Sequence, residues 1–473
     1  MPFRTKPTTD DARECRAIRI WQQLTTTSWQ FTVAGEPVKI IYPGRRNDDR
    51  GPDFRDAVLA TPRGLRHGDI EIHVRASNWW THGHHRDHHY NRVILHAVLQ
   101  ANTKTATVLE NGCTVPTLVL KNTPAEPAAP ASRLMPQAST PCRNAQRHRD
   151  INYLGYCLDE AGKQRFLAKA AQFQTELQET EPGETLYRGI MTALGYHKNK
   201  LAFRKLSQLL PAKHLQKLLP PDSEESDCLT HLQALFLGTA GFLPSQCTEW
   251  QSAARPDDPW QDRLEKIWAD SQPRDSMPAS EWNLFKVRPN NFPTRRLAGM
   301  SYLLLRYREK GLLPELISIF QDPLLATSPQ ILQWAFQVTS NGYWTRHIHA
   351  GIPLRSALPT LIGAQRADQI VVNILLPFAF AWGKLMARQE LADTALGLFC
   401  RYPRLSANSV EKHMEHQLNL SRDIISSACR QQGLIHLYRN NCIRGRCDLC
   451  LLSSNPLTSA PRPDPDPEYG ERR

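Results

Sequence analysis

The stretch that decides the fold is residues 51–73, GPDFRDAVLATPRGLRHGDIEIH. It contains two strand-like segments, Ala57–Ala60 and Asp69–Val74, set apart by Pro and Gly punctuation. If the two pair antiparallel, Asp53 at the entry to the first comes up against Glu71 on the second. Side chains two apart on a strand share a face, so Asp69, Glu71 and His73 are expected to point the same way. Carboxylates converging at strand ends make a hard oxygen site suited to Mg²⁺ or Mn²⁺. Such an ion polarises a phosphodiester and lowers the pKa of an attacking water, while a neighbouring cation or His orients or deprotonates that water.

Upstream, Asp11 to Leu24 reads as a helix with Ile18, Trp21 and Leu24 on one face. Further strand-like segments are Trp29–Val33, Val38–Tyr42, Val93–Leu99, Ala106–Leu109 and Thr117–Leu120, which together predict a compact α+β domain over residues 1–121. Residues 122–140, NTPAEPAAPASRLMPQAST, have little to bury and read as a Pro/Ala-rich linker. From there helical spacing takes over, in Ala161–Thr180, Thr185–Leu194, Leu201–Leu210, Leu229–Leu237, Ala298–Lys310, Pro329–Thr339, Ile370–Arg388 and Ser409–Leu418. An all-helical domain over 141–428 is therefore expected, followed by a cysteine-bearing segment over 429–453 and a disordered tail over 454–473.

Composition agrees with this plan. A chain of 473 residues allows two to three domains at roughly 150 residues each, and 41% hydrophobic with 22% charged residues excludes wholesale disorder. The formal charge of +12 favours polyanionic partners such as nucleic acid. The longest apolar run, Ile370–Trp382, is interrupted by Asn373 and Pro377 and falls short of the roughly 20 residues a membrane span needs. No membrane association is expected. Eleven cysteines without a visible secretory h-region point to a reducing cytoplasm, where clustered thiols suggest metal rather than disulfides. The chain has no P-loop, dinucleotide fingerprint or GxSxG, which argues against ATP-driven translocation by this chain.

Three further constellations carry chemistry. Eight of the 17 histidines fall between His67 and His96. His73, on the strand face of Glu71, has a strong claim to metal ligation, and so do His82, His84 and His96, which fall on the pattern of an uncharacterised family that the chain resembles. Trp79, Trp80 and Tyr90 interleave with them and could stack on bases. Residues 288–296, RPNNFPTRR, place Arg288, Arg295 and Arg296 around a helix start, the geometry of a phosphate clamp. Finally, Cys442, Cys447 and Cys450 have C-x₄-C-x₂-C spacing, which suits an iron–sulfur cluster or Zn²⁺ and needs a fourth ligand. Cys429 is the first candidate for it, ahead of Cys400, Cys157 and His436.

Pro52-Asp53 followed by Glu71-x-His73 resembles the signature of the PD-(D/E)XK nuclease superfamily, with His in place of the usual Lys. The resemblance implies a core of helix, mixed sheet, helix and strand. It implies Asp53 and Glu71 as metal ligands assisted by Asp69 or Glu14, His73 at the lysine's position, and Arg75 as a source of positive charge. Some members of that superfamily hold a [4Fe–4S] cluster with C-terminal cysteines, similar in placement to the cysteines here. Over most of its length the chain also resembles an uncharacterised bacterial family, through Gly51–Phe54, Glu71–His73, Ser77, Trp79, His82, His84, Asp87, Tyr90, Leu95–Val98, the RPxNFPxxR motif and the cysteine cluster.

The function expected is a Mg²⁺- or Mn²⁺-dependent nuclease. The alternatives are a catalytically silent nucleic-acid-binding protein on the same fold, and a His/carboxylate metalloenzyme acting on a small molecule.

Overall fold

The computed structural model describes residues 9–23, 29–47, 49–121, 142, 150–218, 223–246, 258–271, 275–322 and 328–453. The expected linker and tail lie outside these residues. The chain divides into two compact units: residues 1–162, 407–426 and 430–473 form one, and residues 163–406 with 427–429 form the other. Segments far apart in sequence thus share the first unit.

The first unit opens with helix α1 (Thr9–Gln23). Strands β1 (Gln30–Phe31), β2 (Pro37–Tyr42), β3 (Arg45–Arg46), β4 (Phe54–Thr61) and β5 (Gly64–Arg75) follow. After the short helix α2 (Asn78–Thr81) come β6 (Val93–Gln100), β7 (Thr107–Val108), β8 (Thr114–Val115) and β9 (Thr117–Val119). Among the described residues one sheet runs in the order β1-β2-β4-β5-β6-β9, with β3 beside β4. The β2-β4-β5 meander is antiparallel, whereas β5 pairs parallel with β6 and β6 parallel with β9. Val33 N–H donates to Thr117 O at 2.8 Å, so the two ends of the strand order meet and the sheet curls.

Period-two alternation explains how this sheet divides its residues. Ile70 and Ile72 of β5 join Leu95 and Ala97 of β6 in a core that α1 covers with Ala17, Ile18 and Trp21. The Ile and Leu side chains among them each contribute about 1.5–3 kcal/mol on burial. The Trp21 indole N–H donates to Pro43 O at 3.0 Å, which leaves no buried donor unpaired there. The intervening residues Glu71, His73 and His96 are left for the opposite face. A bulge between Phe54 and Ala57 interrupts the β4–β5 ladder, with Asp56 at φ 62° in the left-handed region that Asp tolerates.

The second unit is helical. Its segments Pro182–Leu194, Lys200–Leu209, Glu225–Thr239, Pro293–Arg306, Leu376–Leu385 and Gln389–Arg401 surround a large apolar core. The sequence reading extends one helix through Thr339, but the helix ends at Phe336; Val338–Thr339 instead pairs with Thr360–Ile362, and His347–His349 with Ile352–Pro353. These ribbons are two or three residues long, too short for alternation to announce them. Among the described residues no helix is long and apolar enough to cross a membrane.

Candidate functional site

Antiparallel pairing of β4 with β5 sets Phe54 opposite Ile70 and carries Asp53 to Glu71. The two acids interlock through the main chain. Asp53 N–H donates to Glu71 Oε2 and Ile72 N–H donates to Asp53 Oδ2, each at 3.1 Å. Burial pushes both carboxyls up to about 8; the charges of Glu71 and Glu14 add to this for Asp53, and that of Glu14 for Glu71. Glu14 of α1 therefore belongs to the same electrostatic neighbourhood.

The parallel pairing of β5 with β6 requires a crossover between them. Residues 76–92 supply it, and they fold α2 and two short turns back over β5. Gly83, at φ 75°, reverses the chain between His82 and His84 and lets both rings reach His73. The His73 and His84 rings stack at 5.2 Å between centroids, and His82 stands edge-on to His73 at 4.9 Å. His84 is held from behind by Tyr90, stacked at 3.9 Å, and by Trp79 at 5.4 Å. Trp79 is fully buried and its indole N–H donates to Val108 O at 2.9 Å. These aromatics build the site and are not free platforms for bases.

The Nε2 atoms of His73 and His84 each lie 3.3 Å from Glu71 Oε1, yet neither is aligned for a hydrogen bond to it. The other nitrogen of His73, Nδ1, meets His96 Nε2 at 2.9 Å. His96 Nδ1 meets Thr107 Oγ1 at 2.9 Å, and Thr107 meets Thr117 Oγ1 at 3.2 Å. Burial pulls His73 down to about 2 and His96 to about 3, with the neighbouring imidazoles adding to the effect, and it lowers His84 as well. Neutral imidazoles with lone pairs facing a carboxylate are a donor set for a metal ion.

The remaining residues nominated from sequence go elsewhere. Asp69 turns away from Asp53 and Glu71: its Oδ1 accepts from Asp56 N–H at 3.1 Å and lies 3.9 Å from Arg92. The bulges on both sides of β5 break the simple alternation that would put Asp69 with Glu71. Arg75 is exposed at the end of β5, paired in register with Gln100. Asp87 caps the turn at His88–Tyr90, its carboxylate accepting from His89 N–H, and it also accepts from Arg50 at 3.0 Å, which fastens the crossover to the loop before β4.

The phosphate clamp is corrected by burial. Arg295 and Arg296 are 0% and 2% exposed inside the helical unit. The Arg295 guanidinium donates to the carbonyls of Trp344, His347, Leu358 and Thr360. Arg296 donates to Leu361 O, Tyr196 Oη and Asn291 Oδ1. Burial lowers the pKa of both, Arg295 to about 10. These groups hold the short β ribbons onto the helix Pro293–Arg306. Arg288, in contrast, is exposed.

Cys442, Cys447 and Cys450 sit in short turns of the first unit, where His67 Nδ1 meets Ile443 O at 3.0 Å. The Cys442 thiol is pushed well up by burial and by the charges of Cys450, Cys142 and Cys447. Cys142 also raises Cys447 and Cys450. Cys142, held by its N–H to Gln417 O at 2.8 Å, is thus a neighbour of the three. Cys429, the first candidate from sequence, is instead buried in the core of the helical unit. Cys142 lies some 300 residues upstream, and only proximity in space brings it forward.

No curated protein and no solved structure matches the chain. The family model described as protein of unknown function (DUF2851) matches residues 17–406, a span that takes in the sheet, the histidine crossover and most of the helical unit. The chain belongs to the DUF2851 family.

Proposed function

We propose that this protein is a metal-dependent phosphodiesterase acting on nucleic acid, with its site on the N-terminal sheet. The observation that carries the reading is the interlocked pair Asp53 and Glu71, brought together from adjacent strands with His73 beside Glu71. The element order also supports it: a helix, an antiparallel three-strand meander, a short helical crossover and a parallel return strand. That is the order which the PD-(D/E)XK resemblance implies. A divalent ion at the pair would polarise the scissile phosphate and acidify a bound water. In this reading His73 orients or deprotonates that water, and the His96–Thr107 chain holds the ring for it. Glu14 adds negative charge from α1.

Incubating the wild type and an Asp53→Ala/Glu71→Ala variant with single- and double-stranded DNA and with RNA, in Mn²⁺ or Mg²⁺, tests this. Metal-dependent cleavage by the wild type alone is expected. Salt-sensitive binding without cleavage would replace the reading by a silent nucleic-acid-binding protein. The histidine-rich lining favours one second reading, a metallohydrolase of small molecules. Metal-dependent turnover of a small phosphodiester with no effect on DNA or RNA would establish that one. We also propose a structural iron–sulfur or zinc site at Cys442, Cys447 and Cys450, with Cys142 as the fourth ligand.

A further inference from the structure

We propose that His73, His82 and His84, together with Glu71, form a nitrogen-rich site for a first-row transition ion, of the Zn²⁺, Co²⁺ or Mn²⁺ kind and not Mg²⁺. This goes beyond the phosphodiesterase reading, which needs only a cation at the carboxylate pair; with its Nε2 lone pair on the ion, His73 would hold the metal in place of taking a proton from the water. One donor nitrogen from each histidine falls within 4.8 Å of the others. The second observation is independent of that clustering. His73 is 1% exposed, and its Nε2, like that of His84, has no hydrogen-bond partner among the described residues. Both atoms face the same carboxylate oxygen at 3.3 Å. Orphaned ring nitrogens buried against a carboxylate are costly unless something electropositive joins them.

The surroundings favour ligation over a simple proton. When His96 donates through Nδ1 to Thr107, its Nε2 accepts from His73 Nδ1–H, and the lone pair of His73 then lies on Nε2, facing the cluster. That is the outer-shell arrangement which fixes the tautomer of a ligating histidine. His84 is clamped by Tyr90, while His82 is exposed and closes the set from the solvent side. Three imidazoles with one carboxylate suit zinc, cobalt and manganese, whereas Mg²⁺ selects oxygen donors and retained waters.

The test uses the full chain stripped with chelator and then titrated with Co²⁺, followed by its absorption spectrum and by calorimetry. Co²⁺ also separates this site from the cysteines, because thiolate ligation adds intense charge-transfer bands that imidazole and carboxylate ligation lack. The expected result is one equivalent with ligand-field bands free of thiolate character, distinct from any equivalent that the cysteines take up with thiolate bands. His82→Ala and His84→Ala should each weaken it by at least 10–100-fold, and His96→Ala by about 10–100-fold. His82 is exposed, so its variant keeps the fold, and a circular dichroism spectrum confirms this. Co²⁺ binding unchanged in the His82 and His84 variants, or Mg²⁺ binding as tightly as Co²⁺, overturns the proposal. Co²⁺ binding at the histidines with no cleavage of any phosphodiester leaves the site standing and refutes the phosphodiesterase reading alone.

Discussion

Replacing Arg295 with methionine separates a phosphate-binding arginine from a structural one. The side chain is fully buried and donates to four carbonyls, those of Trp344, His347, Leu358 and Thr360. Methionine fills much of the volume and donates nothing. If two of the four carbonyls find no replacement, the loss is about 2–6 kcal/mol at about 1–3 kcal/mol each. Removing the guanidinium also removes its own burial cost, which offsets part of that. We expect a net loss of about 3 kcal/mol. Urea unfolding followed by circular dichroism reads it as a midpoint shift of about 1 M, for a slope of about 3 kcal/mol/M. The chain has two compact units, so the shift belongs to the transition of the helical one. Arg288→Ala, at an exposed position, should cost under about 0.5 kcal/mol. A loss below about 1 kcal/mol for Arg295→Met, together with weakened DNA binding, would refute the argument and restore the clamp.

Other expectations follow from single contacts. Gly68 faces Arg92 O and Ile94 Cγ2, each 2.4 Å from where a Cβ would stand, so Gly68→Ala should cost about 1–3 kcal/mol and disturb the β5–β6 register that aligns Glu71 with His96; thermal unfolding and metal affinity should fall together. His413 is pulled down to about 4 by burial and then by the charge of Arg45, and it meets Tyr42 Oη at 2.5 Å. Its unfolded form takes up a proton near pH 6.5 and its folded form only near 4, so its contribution is present above pH 6.5 and is lost as pH falls through that window, by up to about 3 kcal/mol. In His413→Gln the acid side of the stability curve should flatten. Asp53 and Glu71 act in the opposite sense. Their folded pKa values near 8 lie above the unfolded ones, so the metal-free protein loses stability as pH rises from about 4 to 8. Metal should therefore raise the melting temperature more at pH 8 than at pH 6, and equal gains would count against a cation at the pair. Cys142→Ser should lower iron or zinc content measured by elemental analysis, while Cys113→Ser, at an exposed site, should not.

Much of the first unit was legible in the sequence because its order is local. The helix covering Ile18 and Trp21, the β2-β4-β5 meander and the approach of Asp53 to Glu71 follow from side-chain period and from pairing across a two-residue reversal at Pro62–Arg63. Those signals need only residues a few positions apart. The histidines were visible as a cluster, and His73, His82, His84 and His96 stood out within it; how they converge was not legible. That convergence comes from the parallel pairing of β5 with β6, which lays the crossover over Glu71, and from Gly83, which turns His82 and His84 inward together. Asp69 left the site because bulges offset the alternation that period two assumes. Arg295 and Arg296 read as a surface clamp, since a charged pair at a helix start is ordinarily solvated. Only folding showed that backbone carbonyls from residues some 50–65 positions away surround them. Cys142 is the extreme case, a lone thiol beyond an Ala/Pro-rich stretch that neighbours Cys442 across a separation of 300 residues. What the sequence determines by itself is which elements form and which faces they offer. Which polar groups meet across long loops is decided by the tertiary structure, because loop closure carries no local pattern and its cost is repaid only when the whole core assembles.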